Sequence, residues 1–195
     1  MSRKKKNDPR KENESLTTPS NLLSIVRMLL VLPLVILFDD PRGNQLLIAG
    51  LGFFAYLTDL ADGWLARNFG GESKLGRLLD PLADKVFISA VVLLMIVTRM
   101  IPLWFGIIVI ARDVLIFLGG LYLRKRTGVI VQSNMLGKAA VVGIGVVLVI
   151  ALFSDGGTNV VLTLFMTVTL GLIVASLYVY AERFFKILKQ HRGTR

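Results

Sequence analysis

Asp59-Leu60-Ala61-Asp62-Gly63-Trp64-Leu65-Ala66-Arg67, then eight residues, then Gly76-Arg77-Leu78-Leu79-Asp80-Pro81-Leu82-Ala83-Asp84, sets four carboxylates between apolar runs. An ionisable group at bilayer depth costs at least a few kcal/mol, so its presence there points to function. Asp59 and Asp62 are three residues apart; Gly76, Asp80 and Asp84 recur every four. Each set therefore lines one face of its own helix. Two helices that each present two carboxylates suit a hard divalent cation.

Outward from this motif the chain is apolar. Its 195 residues are 54% hydrophobic, with a mean hydropathy of +0.66, which points to an all-α integral membrane protein. Six apolar runs predict six transmembrane helices, at about Leu22–Phe38, Gln45–Ala66, Leu78–Thr98, Ile101–Leu123, Leu136–Phe153 and Val160–Ala181. Each is close to the ~17–25 residues that cross a bilayer. Turn residues separate them: Asp40-Pro41-Arg42-Gly43, Gly70-Gly71, Ile101-Pro102 and Asp155-Gly156-Gly157. The apolar run from Leu22 has no small-residue cleavage site after it and reads as a retained helix.

The basic residues set the orientation. The N-terminal arm carries six Lys and Arg, the 2–3 loop Arg67, Lys74 and Arg77, the 4–5 loop Arg124, Lys125 and Arg126, and the C-terminus five; the alternate loops carry Arg42, Arg99 and none. Both termini are then expected on the cytoplasmic side. In that topology all four aspartates reach one depth beneath the inner-leaflet headgroups. The expected organisation is a disordered basic arm at 1–18, a membrane domain at 19–182 and a basic tail at 183–195. The +10 formal charge is topogenic in this reading, because the basic segments lack the interleaved aromatics of a nucleic-acid surface.

Other chemistries fall away. The chain has no cysteine, and its one histidine, His191, lies in the basic tail, so thiol chemistry and His-based triads are excluded. Four carboxylates together would repel one another, and oxygen-only ligands favour Mg²⁺ or Mn²⁺. Such ions neutralise the charge that develops in phosphoryl transfer. Gly63 and Gly76 let a phosphate or sugar approach the backbone, and Arg67 offers it paired donors. An ion or proton transporter would place its carboxylates near the midplane with an internal repeat, and the sequence has neither. A membrane scaffold would leave the aspartates unexplained.

Asp-x2-Asp-Gly-x2-Ala-Arg-x8-Gly-x3-Asp-x3-Asp, met in full over residues 59–84, resembles the signature of the CDP-alcohol phosphotransferases, integral membrane enzymes of phospholipid synthesis. The resemblance extends loosely from Leu22 to Tyr180. It implies that Asp59, Asp62 and Asp80 are metal ligands. Asp84 would be the general base for the attacking alcohol and would also touch a second metal. Gly63, Ala66, Arg67 and Gly76, with Asp59, match positions that accommodate the CDP moiety. The implied reaction is attack of a hydroxyl on the lipid-bearing phosphorus, expelling CMP. The resemblance further implies CDP-diacylglycerol as donor and a homodimer; 195 residues without a transit-like N-terminus point to a bacterial inner membrane, and the Lys and Arg distribution to an active site facing the cytoplasm.

Thr18-Pro19-Ser20-Asn21-Leu22-Leu23-Ser24-Ile25-Val26-Arg27 and Asp80-Pro81-Leu82-Ala83-Asp84-Lys85 are similar to the phosphatidylglycerophosphate synthase and CMP-forming cardiolipin synthase branch. Ser20 interrupts the branch's usual Pro-Asn step. Ala111-Arg112-Asp113-Val114 is similar to the eukaryotic-type cardiolipin synthases as well. Glycerol 3-phosphate is the first expectation for the acceptor and phosphatidylglycerol the second, with inositol phosphate and serine as further family acceptors. Arg27, Arg112 and Lys138 are the candidate acceptor-binding residues.

Overall fold

The computed structural model describes residues 19–68, 76–128, 134–154 and 159–192, with side chains placed except at 19–21, 62–68, 76–81, 191 and 192. The expected basic arm lies outside the described residues. The described residues form seven α-helices and no strand: α1 (Pro19–Leu29), α2 (Val31–Leu37), α3 (Gln45–Asn68), α4 (Gly76–Val97), α5 (Leu103–Thr127), α6 (Met135–Phe153) and α7 (Val160–Arg192).

The first expected span is two helices, and Pro33 explains why. Proline has no N–H to give the carbonyl four residues back and its ring crowds that carbonyl, here Leu29. The break falls at Leu30, yet Leu30 N–H still bonds Val26 O at 3.0 Å and Leu34 N–H bonds Leu30 O at 3.2 Å, so the chain continues in nearly the same direction. α3 runs to Asn68 and carries Arg67 in its last turn. α5 continues past Leu123 to Thr127, where Gly128 at φ 70° ends it in the left-handed region that glycine adopts most readily. α7 passes through the expected boundary at Ala181 as one unbroken helix. A Glu182–Lys186 ion pair one turn apart supports this extension, as does Phe184, which stacks on Tyr122 of α5.

Among the described residues three helices are long and apolar enough to cross a bilayer: Leu103–Thr127, Met135–Phe153 and Val160–Gln190. Leu22–Leu37 and Gln45–Ala61 are shorter apolar helical stretches. Large apolar side chains face outward: Val160 is 85% exposed, Leu46 79% and Val97 77%. A surface of that kind fits lipid as its solvent.

The helices fall into two compact units. In one, α1, α2, α3 and α4 as far as Val91 bury Leu34, Phe38, Ile48, Ala55, Ala83 and Phe87, together with Ser24, Arg27 and Thr58. The other holds the end of α4 from Val92 with α5, α6 and α7. There α7 turns Leu162, Met166, Thr169, Ile173 and Ser176 inward at alternating steps of four and three. α6 answers with Ala140, Ile144, Val147 and Ala151, and small residues let the backbones approach. An ideal Cβ on Gly143 would lie 2.8 Å from Thr169 Oγ1, and one on Gly119 of α5 would lie 2.8 Å from the Tyr180 hydroxyl. That hydroxyl donates to Ile116 O at 3.1 Å, which fixes α5 against α7.

Candidate active site

Both halves of the aspartate motif are helical. α3 carries Asp59 and Asp62 within one turn, and α4 starts at Gly76 and carries Asp80 and Asp84 one turn apart. Asp59 and Asp84 have described side chains, 49% and 42% exposed. Those of Asp62, Gly63, Ala66, Arg67, Gly76 and Asp80 lie outside the described residues.

Arg27 of α1 joins the two described carboxylates. Its Nη1 donates to Asp84 Oδ1 and lies 3.4 Å from Asp59 Oδ1. Its Nε donates to Thr58 Oγ1 at 3.4 Å, and the Thr58 hydroxyl in turn donates to Ala55 O at 2.7 Å. Only 2% of Arg27 is exposed. A buried guanidinium is tolerated where carboxylates neutralise it and its donors are used. The result is a carboxylate pair on two helices, tied by one cation from a third. Thr58 is a site residue that the sequence reading does not single out, although it directly precedes Asp59.

Arg112 and Lys138, the other candidate acceptor residues, sit in the second unit. Arg112 is 4% exposed; its Nη1 donates to Asp113 Oδ1 at 2.6 Å and its Nη2 to Gly137 O at 3.3 Å. Among the described residues its buried Nε meets no hydrogen-bond partner. Gly137 opens α6 under Asn134, whose Oδ1 accepts from Gly137 N–H as the N-cap and whose Nδ2 donates to Ser176 O at 3.5 Å. An asparagine immediately before an apolar run is an N-cap signal, and that signal alone could have found this residue. Lys138, the next residue, is exposed.

Residues 17–179 match the sequence profile of the CDP-alcohol phosphatidyltransferases. The chain belongs to the CDP-alcohol phosphatidyltransferase family. It is 32% identical over 156 residues to a cardiolipin synthase (CMP-forming) from Streptomyces coelicolor, covering 76% of this chain and 71% of that one. With a probable cardiolipin synthase (CMP-forming) from Drosophila melanogaster it shares 37% identity over 123 residues, 63% of this chain and 38% of the other. It is also 36% identical over 88 residues to the CDP-diacylglycerol–glycerol-3-phosphate 3-phosphatidyltransferase of Bacillus subtilis, 45% of each chain. The chain spans less than two fifths of the length of the fly and rat cardiolipin synthases that it matches. CDP-alcohol phosphatidyltransferases are membrane-bound transferases of phospholipid synthesis, and the exposed apolar side chains of the helices agree with that setting.

The described donor set suits the hard divalent cation that the family implies. Asp59 and Asp84 offer carboxylate oxygens alone, from two helices, close enough to share one positive partner, and both remain partly open. Among the described residues no group of three or more His, Cys, Asp or Glu converges; Asp62 and Asp80 would have to complete such a set.

Proposed function

We propose that this chain transfers a phosphatidyl group from CDP-diacylglycerol to an alcohol and releases CMP. The observation that carries this reading is the pairing of Asp59 on α3 with Asp84 on α4 through Arg27, within the motif that resembles the family's signature. Asp59, Asp62 and Asp80, with Asp84, would hold Mg²⁺ or Mn²⁺, which supplies charge neutralisation at the diphosphate. Gly63, Ala66, Arg67 and Gly76 would seat the CDP moiety. Asp84 takes the proton from the attacking hydroxyl. The alcohol oxygen forms its bond to the lipid-bearing phosphorus as the bond from that phosphorus to the CMP oxygen breaks.

Phosphatidylglycerol is the acceptor we favour, which would make the product cardiolipin. The two buried arginines expected to meet an acceptor phosphate are both already engaged by aspartates, Arg27 by Asp59 and Asp84 and Arg112 by Asp113. That arrangement suits a singly charged phosphodiester better than a phosphomonoester dianion. The names of the Streptomyces and fly relatives agree. Glycerol 3-phosphate is the second reading, favoured by the segment from Pro19 to Arg27 and by the Bacillus relative.

The same reading places six spans across a bacterial inner membrane, with α1 and α2 together forming the first. Both termini and the aspartates lie on the cytoplasmic side, as the distribution of Lys and Arg supports. The membrane domain runs from 19 to 182 between basic arms, and the protein works as a homodimer. The test is CMP release by the purified protein from CDP-diacylglycerol, with phosphatidylglycerol or glycerol 3-phosphate offered separately. Release with phosphatidylglycerol alone supports the favoured acceptor, and release with glycerol 3-phosphate alone supports the second.

A further inference from the structure

Arg27 carries a permanent charge at a position where 2% of its surface is exposed. Burial of a guanidinium is sustained by the carboxylates that it meets, and these are the two that the proposed function gives to a divalent cation. One guanidinium between carboxylates on α3 and α4 performs the electrostatic task of that cation: it cancels the repulsion between Asp59 and Asp84. It also takes up the oxygens that a metal would need, since Asp84 Oδ1 accepts from Nη1 and Asp59 Oδ1 lies 3.4 Å from the same nitrogen. The two cations compete for one set of lone pairs.

We propose that Arg27 is a resident counter-charge: a positioning residue that holds Asp59 and Asp84 together in the metal-free protein and yields their oxygens when a divalent cation loads. The proposal rests on the reading of these aspartates as cation ligands. Thr58 supplies the anchor. Its Oγ1 accepts from Arg27 Nε while its own proton is committed to Ala55 O, so Nη1 moves off the carboxylates while Nε stays tethered beside the site. The metal-free protein avoids unscreened repulsion between its helices, and metal affinity is weaker than the bare carboxylates would give. Asp59 and Asp84 are partly open to solvent, which moderates the effect to about tenfold in affinity.

The test is Mn²⁺ binding to the full-length purified protein in detergent without substrates, read from the electron paramagnetic resonance signal of free Mn²⁺. Arg27→Gln is expected to bind Mn²⁺ about tenfold more tightly than wild type. It is also expected to melt lower in EDTA and to gain more thermal stability from Mg²⁺. Equal or weaker Mn²⁺ affinity in folded Arg27→Gln overturns the proposal while leaving the cation site in place. Absence of Mn²⁺ binding by wild type overturns the reading beneath it. A second measurement needs no destabilising variant: ¹⁵N-arginine NMR of the wild-type protein, with the Arg27 signal assigned by its loss in Arg27→Lys. That signal is expected to shift as Mg²⁺ saturates, and an Arg27 signal unmoved at saturation overturns the proposal.

Discussion

Arg27 on α1 donates to the carboxylate of Asp84 on α4, 57 residues away in the chain. The same guanidinium nitrogen lies 3.4 Å from Asp59 on α3. Two halves of an acidic motif are thereby held by a residue outside it, and the chemistry of the site depends on what that cation secures.

Asp84→Asn keeps the shape of the side chain and removes its basicity. CMP release should fall by about a hundredfold or more, the scale of a lost general base. Binding of CDP-diacylglycerol, followed by its stabilisation of the protein against heat, should persist. Turnover close to wild type would remove Asp84 from the base role.

Arg112→Lys keeps a positive charge for Asp113 but loses the planar fork that reaches Gly137 O. The KM for the acceptor should rise more than the KM for CDP-diacylglycerol in steady-state assays. Equal changes in both would make Arg112 a support of the α5–α6 junction only.

Gly143→Val places a side chain where even a Cβ would meet Thr169 Oγ1 at 2.8 Å and Cγ2 at 3.3 Å. α6 and α7 must part, at a cost of about 1–3 kcal/mol, visible as a lower melting temperature. Gly145→Ala, two residues on, meets nothing within 4 Å and should leave the melting temperature level or slightly raised, since alanine is the better helix former.

Tyr180→Phe removes the hydroxyl that donates to Ile116 O at 3.1 Å. The loss should be about 1 kcal/mol, read as a modest fall in thermal stability with CMP release retained. An unchanged melting temperature would show that the α5–α7 contact is carried by packing alone.

Helical periodicity makes the aspartate motif legible in the amino-acid sequence. Steps of three and four residues fix which aspartates share a face, and α3 and α4 are helical through all four. Spacing along the chain says nothing about which helix lies opposite, so the contacts of Arg27 with Thr58, Asp59 and Asp84 are not legible in it. The contact between Arg112 and Asp113 is hidden in another way. Adjacent residues on a helix normally diverge, yet here a long flexible arginine folds back onto its neighbour at 2.6 Å. Pro33 is visible inside the first apolar run, but the run's hydropathy conceals the break at Leu30. The charges after Ala181 mark a tail, whereas Glu182 and Lys186, four apart, are the signal that α7 continues.

The most direct test of the central claim is CMP release by the purified protein from CDP-diacylglycerol and phosphatidylglycerol, with Mg²⁺ or with EDTA. The expected result is release with Mg²⁺, its loss in EDTA, and its recovery on adding Mg²⁺ or Mn²⁺. Undiminished release in EDTA would contradict the cation role of the aspartates. A folded protein that releases no CMP with phosphatidylglycerol, glycerol 3-phosphate or any other alcohol offered would contradict phosphatidyl transfer itself.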